Sequence, residues 1–117
     1  MKKIEVREYE RMEQIVIVYE LTNANGVNGY NETPDWRKID LFDPMLKHDS
    51  NCNVGYFGNG PTTLAKIIVE TFRDYGSSKA YTDARNKIEE FLSKISNENN
   101  TIMKNFVITE KDVEHLI

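Results

Sequence analysis

The sequence has little cysteine, little histidine and no long apolar run, and each shortage excludes a class of protein. A single cysteine, Cys52, leaves no partner for an internal disulfide bond, and two histidines are too few for the small zinc modules. The longest apolar run, Ile15 to Tyr19, has the length of a strand, and no apolar segment after Met1 is typical of a signal sequence or a membrane span. We therefore expect a soluble chain in the cytoplasm of the producing cell or of an infected host.

Basic residues do not predominate either. Lys and Arg number 15 against 19 Asp and Glu, which gives a formal net charge of -4. Binding to a nucleic-acid polymer requires a basic surface, so we expect neither a nucleic-acid polymer nor a membrane as a partner. A chain of 117 residues with 39% apolar and 29% charged residues has room for one hydrophobic core, which predicts a single domain over residues 1–117.

Three segments in the first 42 residues have the patterns of strands. Apolar and charged residues alternate over Lys2 to Glu8, whereas Glu13 to Thr22 contains a β-branched run that is typical of a strand buried on both faces. Only Glu10 to Met12 separates the two, which predicts a hairpin. Trp36 to Phe42 is the third candidate, and the polar Asn23 to Asp35 segment before it is expected to be a functional or mobile loop.

The apolar period becomes helical after residue 60. One stripe at helical spacing contains Leu64, Ile67, Ile68, Thr71, Phe72 and Tyr75. A second helix, capped by Ser77 or Ser78, is expected to direct inward Tyr81, Ala84, Ile88, Phe91, Leu92 and Ile95. A short strand at residues 106–108 and a helical turn at residues 109–112 follow. The pattern predicts an α+β fold: an N-terminal antiparallel sheet followed by two packed helices, a short C-terminal strand and a final helical turn.

A glycine-rich turn, Gly55 to Gly60, leads directly into the first of these helices. Free N–H groups at a helix start attract phosphate or carboxylate, and the hydroxyls of Thr62 and Thr63 would add donors. Pro61 removes one N–H, however, and no P-loop lysine follows. The alternative is that the glycines only form a tight strand-to-helix corner. The sequence leaves both interpretations open.

The same turn resembles a small family of unknown function in bacteria and their phages, whose core reads Gly-Tyr-Gly-Gly-Ser-Gly-Pro-Ala-Gln-Leu-Ala. The matching residues are Gly55, Tyr56, Gly58, Gly60, Pro61, Leu64 and Ala65, and the departures are Phe57, Asn59, Thr62 and Thr63. The resemblance covers about Trp36 to Ile117, including a leucine- and proline-containing segment at Leu41 to Leu46 and the closing strand and turn.

The order of elements is also similar to that of phage counter-defence proteins of the Thoeris anti-defence kind. These are oligomers that bind cyclic ADP-ribose-type or cyclic oligonucleotide signals without degrading them, and none of their binding residues can be matched to this chain. The resemblance implies a non-catalytic sponge for a small anionic nucleotide, encoded by a phage or mobile element. A chain of this size would not easily enclose a nucleotide by itself, whereas two copies would form a deeper cleft, so we expect at least a homodimer. The alternative is a protein–protein interaction module that inhibits a host protein.

The turn and two arginines are the candidate ligand-binding residues. An arginine can hold phosphate in a bidentate fork, and an aromatic ring can stack on a base, although surface ion pairing and core packing are competing interpretations. The predicted set is Tyr56, Phe57, Gly58, Asn59, Gly60, Thr62, Thr63, Arg73 and Arg85.

The histidines and the cysteine do not form a convincing reactive group. His48, Asp49 and Cys52 share a polar segment, which favours a solvated loop over a nucleophile with its base, and a metal site that adds His115 is equally disfavoured. We therefore predict no catalytic residue, no metal and no cofactor.

Overall fold

The computed structural model describes residues 1–10, 12–22, 35–72, 77–95 and 102–117, with the side chain of Met12 left aside. The elements in chain order are β1 (Lys2–Tyr9), β2 (Met12–Leu21), β3 (Trp36–Phe42), α1 (Pro44–His48), α2 (Asn59–Phe72), α3 (Ser78–Lys94), β4 (Phe106–Thr109) and α4 (Glu110–Leu116). The predicted α+β fold is confirmed. Arg73 and nearly all of the Asn23 to Asp35 loop lie outside the described residues.

The four strands form one antiparallel sheet in the order β3-β2-β1-β4. The predicted hairpin joins β1 and β2, and Ile4 of β1 lies opposite Val18 of β2. On its other side Ile4 lies opposite Ile108 of β4. The sequence predicted the last strand but not that it pairs with β1, because pairing between residues so far apart in the chain leaves no local pattern.

The two faces of β2 are both buried, as its β-branched run predicted. Val16 and Val18 belong to the core between the sheet and the helices, whereas Ile15 and Ile17 lie outside that core, on the opposite face, and are only 2% and 0% exposed.

Helices α2 and α3 cover the core face of the sheet. The stripe of α2 is buried at Leu64, Ile67, Ile68 and Phe72, and α3 contributes Ala84, Ile88 and Leu92. Ser77 caps α3, as predicted, by accepting a hydrogen bond from the N–H of Ala80. Phe91 was predicted to face inward but is 37% exposed, because it lies at the edge of the apolar stripe.

Helix α1 was not predicted from the sequence. The carboxylate of Asp43 accepts a hydrogen bond from the N–H of Met45 at 2.9 Å, and Pro44 occupies the first helical turn. The helix ends at Asp49, which has a left-handed φ of 53°. Five residues are too few to show a helical period, so only the cap could have indicated this helix.

The segment before the glycine turn is attached by an isolated antiparallel bridge, which Val54 forms with Met103. The final turn is confirmed as α4, where Thr109 and Asp112 form a capping box by exchanging side-chain and backbone hydrogen bonds.

Candidate anion-binding site

A buried polar cluster attaches the segment before the glycine turn to the sheet. Gln14 of β2 is 1% exposed, and its amide nitrogen donates to Asn53 Oδ1 at 2.6 Å and to the carbonyl of Lys104 at 2.9 Å. Its amide oxygen accepts from the N–H of Cys52 at 2.7 Å. Cys52 and Asn53 are buried, so the predicted solvated loop is wrong at these positions. The buried glutamine holds them, because it satisfies the polar groups that burial takes from water.

The helix start is packed against this cluster at Gly60. Its N–H donates to the hydroxyl of Tyr56 at 3.1 Å, and a Cβ at this position would overlap the carbonyl oxygen of Asn53. Gly60 is therefore required by a close approach within the chain itself.

The backbone of the first helical turn offers little to a ligand. The N–H of Gly60 is taken by Tyr56, Pro61 has none, and the N–H of Thr62 donates to the carbonyl of Gly58 at 3.4 Å. The predicted seat for an anion on the main chain of residues 60–62 is therefore already filled by the protein's own groups. At Gly60 this packing favours the tight corner over a ligand contact.

A small cavity lies beside this turn, between the end of α1, the first turns of α2 and the middle of α3. Its volume is about 130 Å³, and its lining residues are His48, Thr62, Thr63, Lys66 and Arg85. Lys66 lies three positions after Thr63 and four after Thr62, so its side chain is next to both on the surface of α2. The cavity thus brings together three of the predicted ligand-binding residues, Thr62, Thr63 and Arg85.

Arg85 is placed differently from the prediction. It was expected on the exposed side of its helix, but it is half-buried, and its Nε is buried with no hydrogen-bond partner among the described residues. Its guanidinium carbon lies 6.0 Å from the centroid of the Tyr81 ring, which is a long cation–π contact.

Two cations, Lys66 and Arg85, lie on the cavity wall. Within the described residues, neither of them forms an ion pair. A carboxylate also contacts the lining, since Glu89 Oε1 lies 2.8 Å from the Thr62 hydroxyl, and that hydroxyl also lies 3.0 Å from the carbonyl of Gly58. The hydrogen of Thr62 is therefore used within the chain.

His48 adds a titratable group to the same wall. Burial is the largest cause that lowers the pKa of its imidazole, the positive charges of Lys47 and Lys66 lower it further, and Glu70 opposes them. The ring of His48 packs edge-on against Phe42, with centroids 5.8 Å apart. At neutral pH the imidazole is neutral and presents one N–H donor.

The remaining predicted residues do not line this cavity. Tyr56, Gly58 and Asn59 lie on the turn, where a Cβ at Gly58 would come within 2.5 Å of the Tyr56 ring. Phe57 is 76% exposed, so the core-packing interpretation of this ring is wrong. The position of Arg73 lies outside the described residues.

Sequence reasoning missed Lys66 and His48 as members of the site. The signal for Lys66 was available, because it follows Thr62 by one helical turn and shares its face. His48 carried no such signal, since its position depends on α1.

Cys52 is not a reactive thiol. It is 0% exposed, and burial raises its pKa to about 12. Across the part of the chain that the structure describes, no three His, Cys, Asp or Glu side chains are placed to hold a metal ion. No helix among those residues has the length and apolar character needed to cross a membrane.

The comparisons with known proteins give no family for the chain. No protein-family model, curated protein or solved structure matches it at a significant level.

Proposed function

We propose that the chain is a non-catalytic protein that binds and sequesters a small anionic nucleotide, with a phosphate held between Lys66 and Arg85. The observation that supports this proposal is the buried Nε of Arg85, which has no hydrogen-bond partner among the described residues, on the wall of a cavity that a second cation, Lys66, also lines. A buried donor without a partner costs about 1–3 kcal/mol, and an anion in the cavity would remove that cost.

The lining suits a phosphate group in particular. A guanidinium presents a planar fork that matches two phosphate oxygens, and the ammonium of Lys66 adds a point charge. Thr63 and the neutral His48 add a hydroxyl and an N–H on the same wall. A cavity of about 130 Å³ accommodates one such group and not a whole nucleotide.

The ligand classes that we test first are those implied by the counter-defence resemblance, cyclic ADP-ribose-type and cyclic oligonucleotide signals. Sequestration without turnover is supported by Cys52, because a thiol with a pKa of about 12 provides no thiolate at neutral pH. Sites for small molecules are usually about 300–1,000 Å³, so a cavity this small favours a site completed by a second copy of the chain. We therefore propose a homo-oligomer. We also propose that the chain acts in the cytoplasm.

Calorimetric titration with a panel of cyclic dinucleotides, cyclic trinucleotides and cyclic ADP-ribose isomers tests the proposal. At least one ligand should bind, and chromatography should recover it intact after release. Arg85→Met and Lys66→Gln should each weaken its binding by about tenfold or more, because each removes one charge from the phosphate.

Lys87→Met is the matched control, since Lys87 is an exposed cation on α3 that does not line the cavity. It should leave affinity unchanged. A panel without any binder, or equal affinity in the wild type and in both cavity variants, would contradict the proposal.

A second candidate function is a protein–protein interaction module. It is favoured by two strongly exposed apolar side chains, Leu46 at 87% and Phe57 at 76%. Exposed anchors of this kind are typical of binding surfaces. A single stoichiometric host protein that is retained by the wild type but not by Leu46→Ser or Phe57→Ser would favour this function.

A further inference from the structure

A second cavity shares His48 with the anion-binding cavity and extends it along α2. Its volume is about 280 Å³, and Phe42, Ile39 and Ile67 form its apolar walls. Its polar lining includes the carboxylates of Asp40 and Glu70. We propose that this cavity receives the base of the nucleotide and selects guanine, an inference that rests on the proposed phosphate site.

The position of the two cavities matches the construction of a nucleotide. Lys66 lines the first cavity and Ile67 the second, so consecutive residues of α2 face the two parts of the ligand. His48 separates them and packs edge-on against Phe42, which places an aromatic boundary where the sugar would lie. A phosphate at Arg85 therefore directs the rest of the molecule toward Phe42.

The apolar walls provide a surface for a planar ring. Ile67 is 3% exposed and Phe42 is half-buried. One face of the Phe42 ring is covered by Lys47, whose Nζ lies 4.4 Å from the ring centroid. The side chain of Lys47 is 54% exposed, so a base can replace it on that face of the ring.

The carboxylates supply the selectivity. Asp40 accepts from the N–H of Leu41 at 2.8 Å, and its Oδ2 lies 3.9 Å from the ammonium of Lys47. Glu70 accepts from the hydroxyl of Tyr81 at 3.4 Å. Each carboxylate therefore keeps further lone pairs. Guanine presents two adjacent donors, N1–H and the exocyclic amine, to which one carboxylate can bind in bidentate fashion. Adenine and cytosine present a donor beside an acceptor, and uracil presents one donor between two acceptors. In each of these bases an acceptor would therefore face an oxygen of the carboxylate, and the two would repel each other.

The size of the second cavity limits what one chain can hold. About 280 Å³ suits a single base and leaves no room for a second nucleotide. Each chain is therefore inferred to bind one guanine nucleotide unit, and a cyclic dinucleotide would require two copies of the chain, one for each unit.

Calorimetric titration of the full chain with GMP, AMP and inorganic phosphate tests this inference. GMP should bind about tenfold more tightly than AMP. Glu70→Gln or Asp40→Asn should remove that advantage while leaving the affinities for AMP and phosphate unchanged. Glu90→Gln, an exposed carboxylate of α3 outside both cavities, is the control and should retain the preference for GMP.

The possible results separate the two proposals. Binding of phosphate, GMP and AMP with equal affinity for the two nucleotides overturns guanine selection and leaves the phosphate site standing. A preference for GMP that survives in both carboxylate variants also overturns it. If none of the three probes binds, both proposals fall.

Discussion

The buried amide of Gln14 and the buried Nε of the half-buried Arg85 have opposite surroundings. Gln14 uses both ends of its amide on three neighbours within the chain. Arg85 keeps a buried Nε for which the described residues provide no partner.

The difference distinguishes a polar group that maintains the fold from one that we propose to hold a ligand. Buried polar groups are almost always hydrogen-bonded, and one that is not needs an explanation. Gln14 is explained by the loop that it holds, whereas the Nε of Arg85 has no such partner among the described residues and belongs to the site to which we assign the phosphate. Substitutions at the two sites should therefore differ in their effect on stability.

The largest effect is expected from Gln14→Met, which keeps the length of the side chain and removes its hydrogen bonds. The N–H of Cys52, the side chain of Asn53 and the carbonyl of Lys104 would be left without this partner. Each buried unsatisfied group costs about 1–3 kcal/mol, so the free energy of unfolding should fall by about 3 kcal/mol. Urea denaturation followed by circular dichroism measures the change.

The control for this substitution is Glu13→Gln, at an exposed position on the same strand. It should change the free energy of unfolding by less than about 0.5 kcal/mol. A loss below about 1 kcal/mol for Gln14→Met would show that the cluster does not hold the segment.

Arg85→Met is expected to have a smaller effect on the free energy of unfolding, and not to lower it as Gln14→Met does. The substitution removes a buried donor without a partner and keeps an apolar stem against Tyr81, at the cost of a long cation–π contact of 6.0 Å. In the absence of ligand, the free energy of unfolding should stay within about 0.5 kcal/mol or rise by about 1 kcal/mol. The same denaturation experiment measures it, and a loss as large as that of Gln14→Met would remove the distinction between the two sites.

The smallest effect concerns the titration of His48. Lys66 is one of the causes that lower the pKa of His48, so Lys66→Gln should move that pKa upward toward the ordinary value of 6.5. Nuclear magnetic resonance of the imidazole Cε1 proton over a pH series measures the shift. Lys79→Gln, at the exposed start of α3, is the control, and an unmoved His48 in Lys66→Gln would place Lys66 outside the cavity wall.

The sign of the pH dependence follows from the same lowered pKa. Because the folded chain binds the proton of His48 less readily than the unfolded chain, this group favours the folded state above pH 6.5. That contribution should be lost as the pH falls through 6.5 toward the folded value. In Lys66→Gln the loss should be smaller.

The fold was largely predictable because its signals are local. Three local patterns each predict a secondary structure and its buried face: the alternation in β1, the run at Ile15 to Val18 and the stripe of α2. Caps at Ser77 and Thr109 marked the starts of two helices correctly. The pairing of β4 with β1 was not predictable, since no local pattern specifies a partner at the other end of the chain.

The candidate site was predicted only in part, for a related reason. The glycine turn drew attention to backbone donors, but the N–H of Gly60 donates to Tyr56. The backbone of Gly60 also packs closely against the carbonyl of Asn53, whose side chain is held by Gln14. The cavity needs α1 and α3 beside α2, and that arrangement is set by packing. Residue type identified Thr62, Thr63 and Arg85 as candidates, while only the tertiary structure added His48.

The position of β4 has a consequence for how the chain is made. The N–H of Lys2 donates to the carboxylate of Glu110, across 108 positions of sequence, and residues 3–6 pair with residues 106–109. On the ribosome, the hairpin of β1 and β2 can form early, but the outer edge of β1 stays open until those last residues emerge. Such an edge can pair with other chains. A nascent chain stalled before residue 106 therefore exposes an unpaired strand edge that can start aggregation, and pairing with β4 is what covers it.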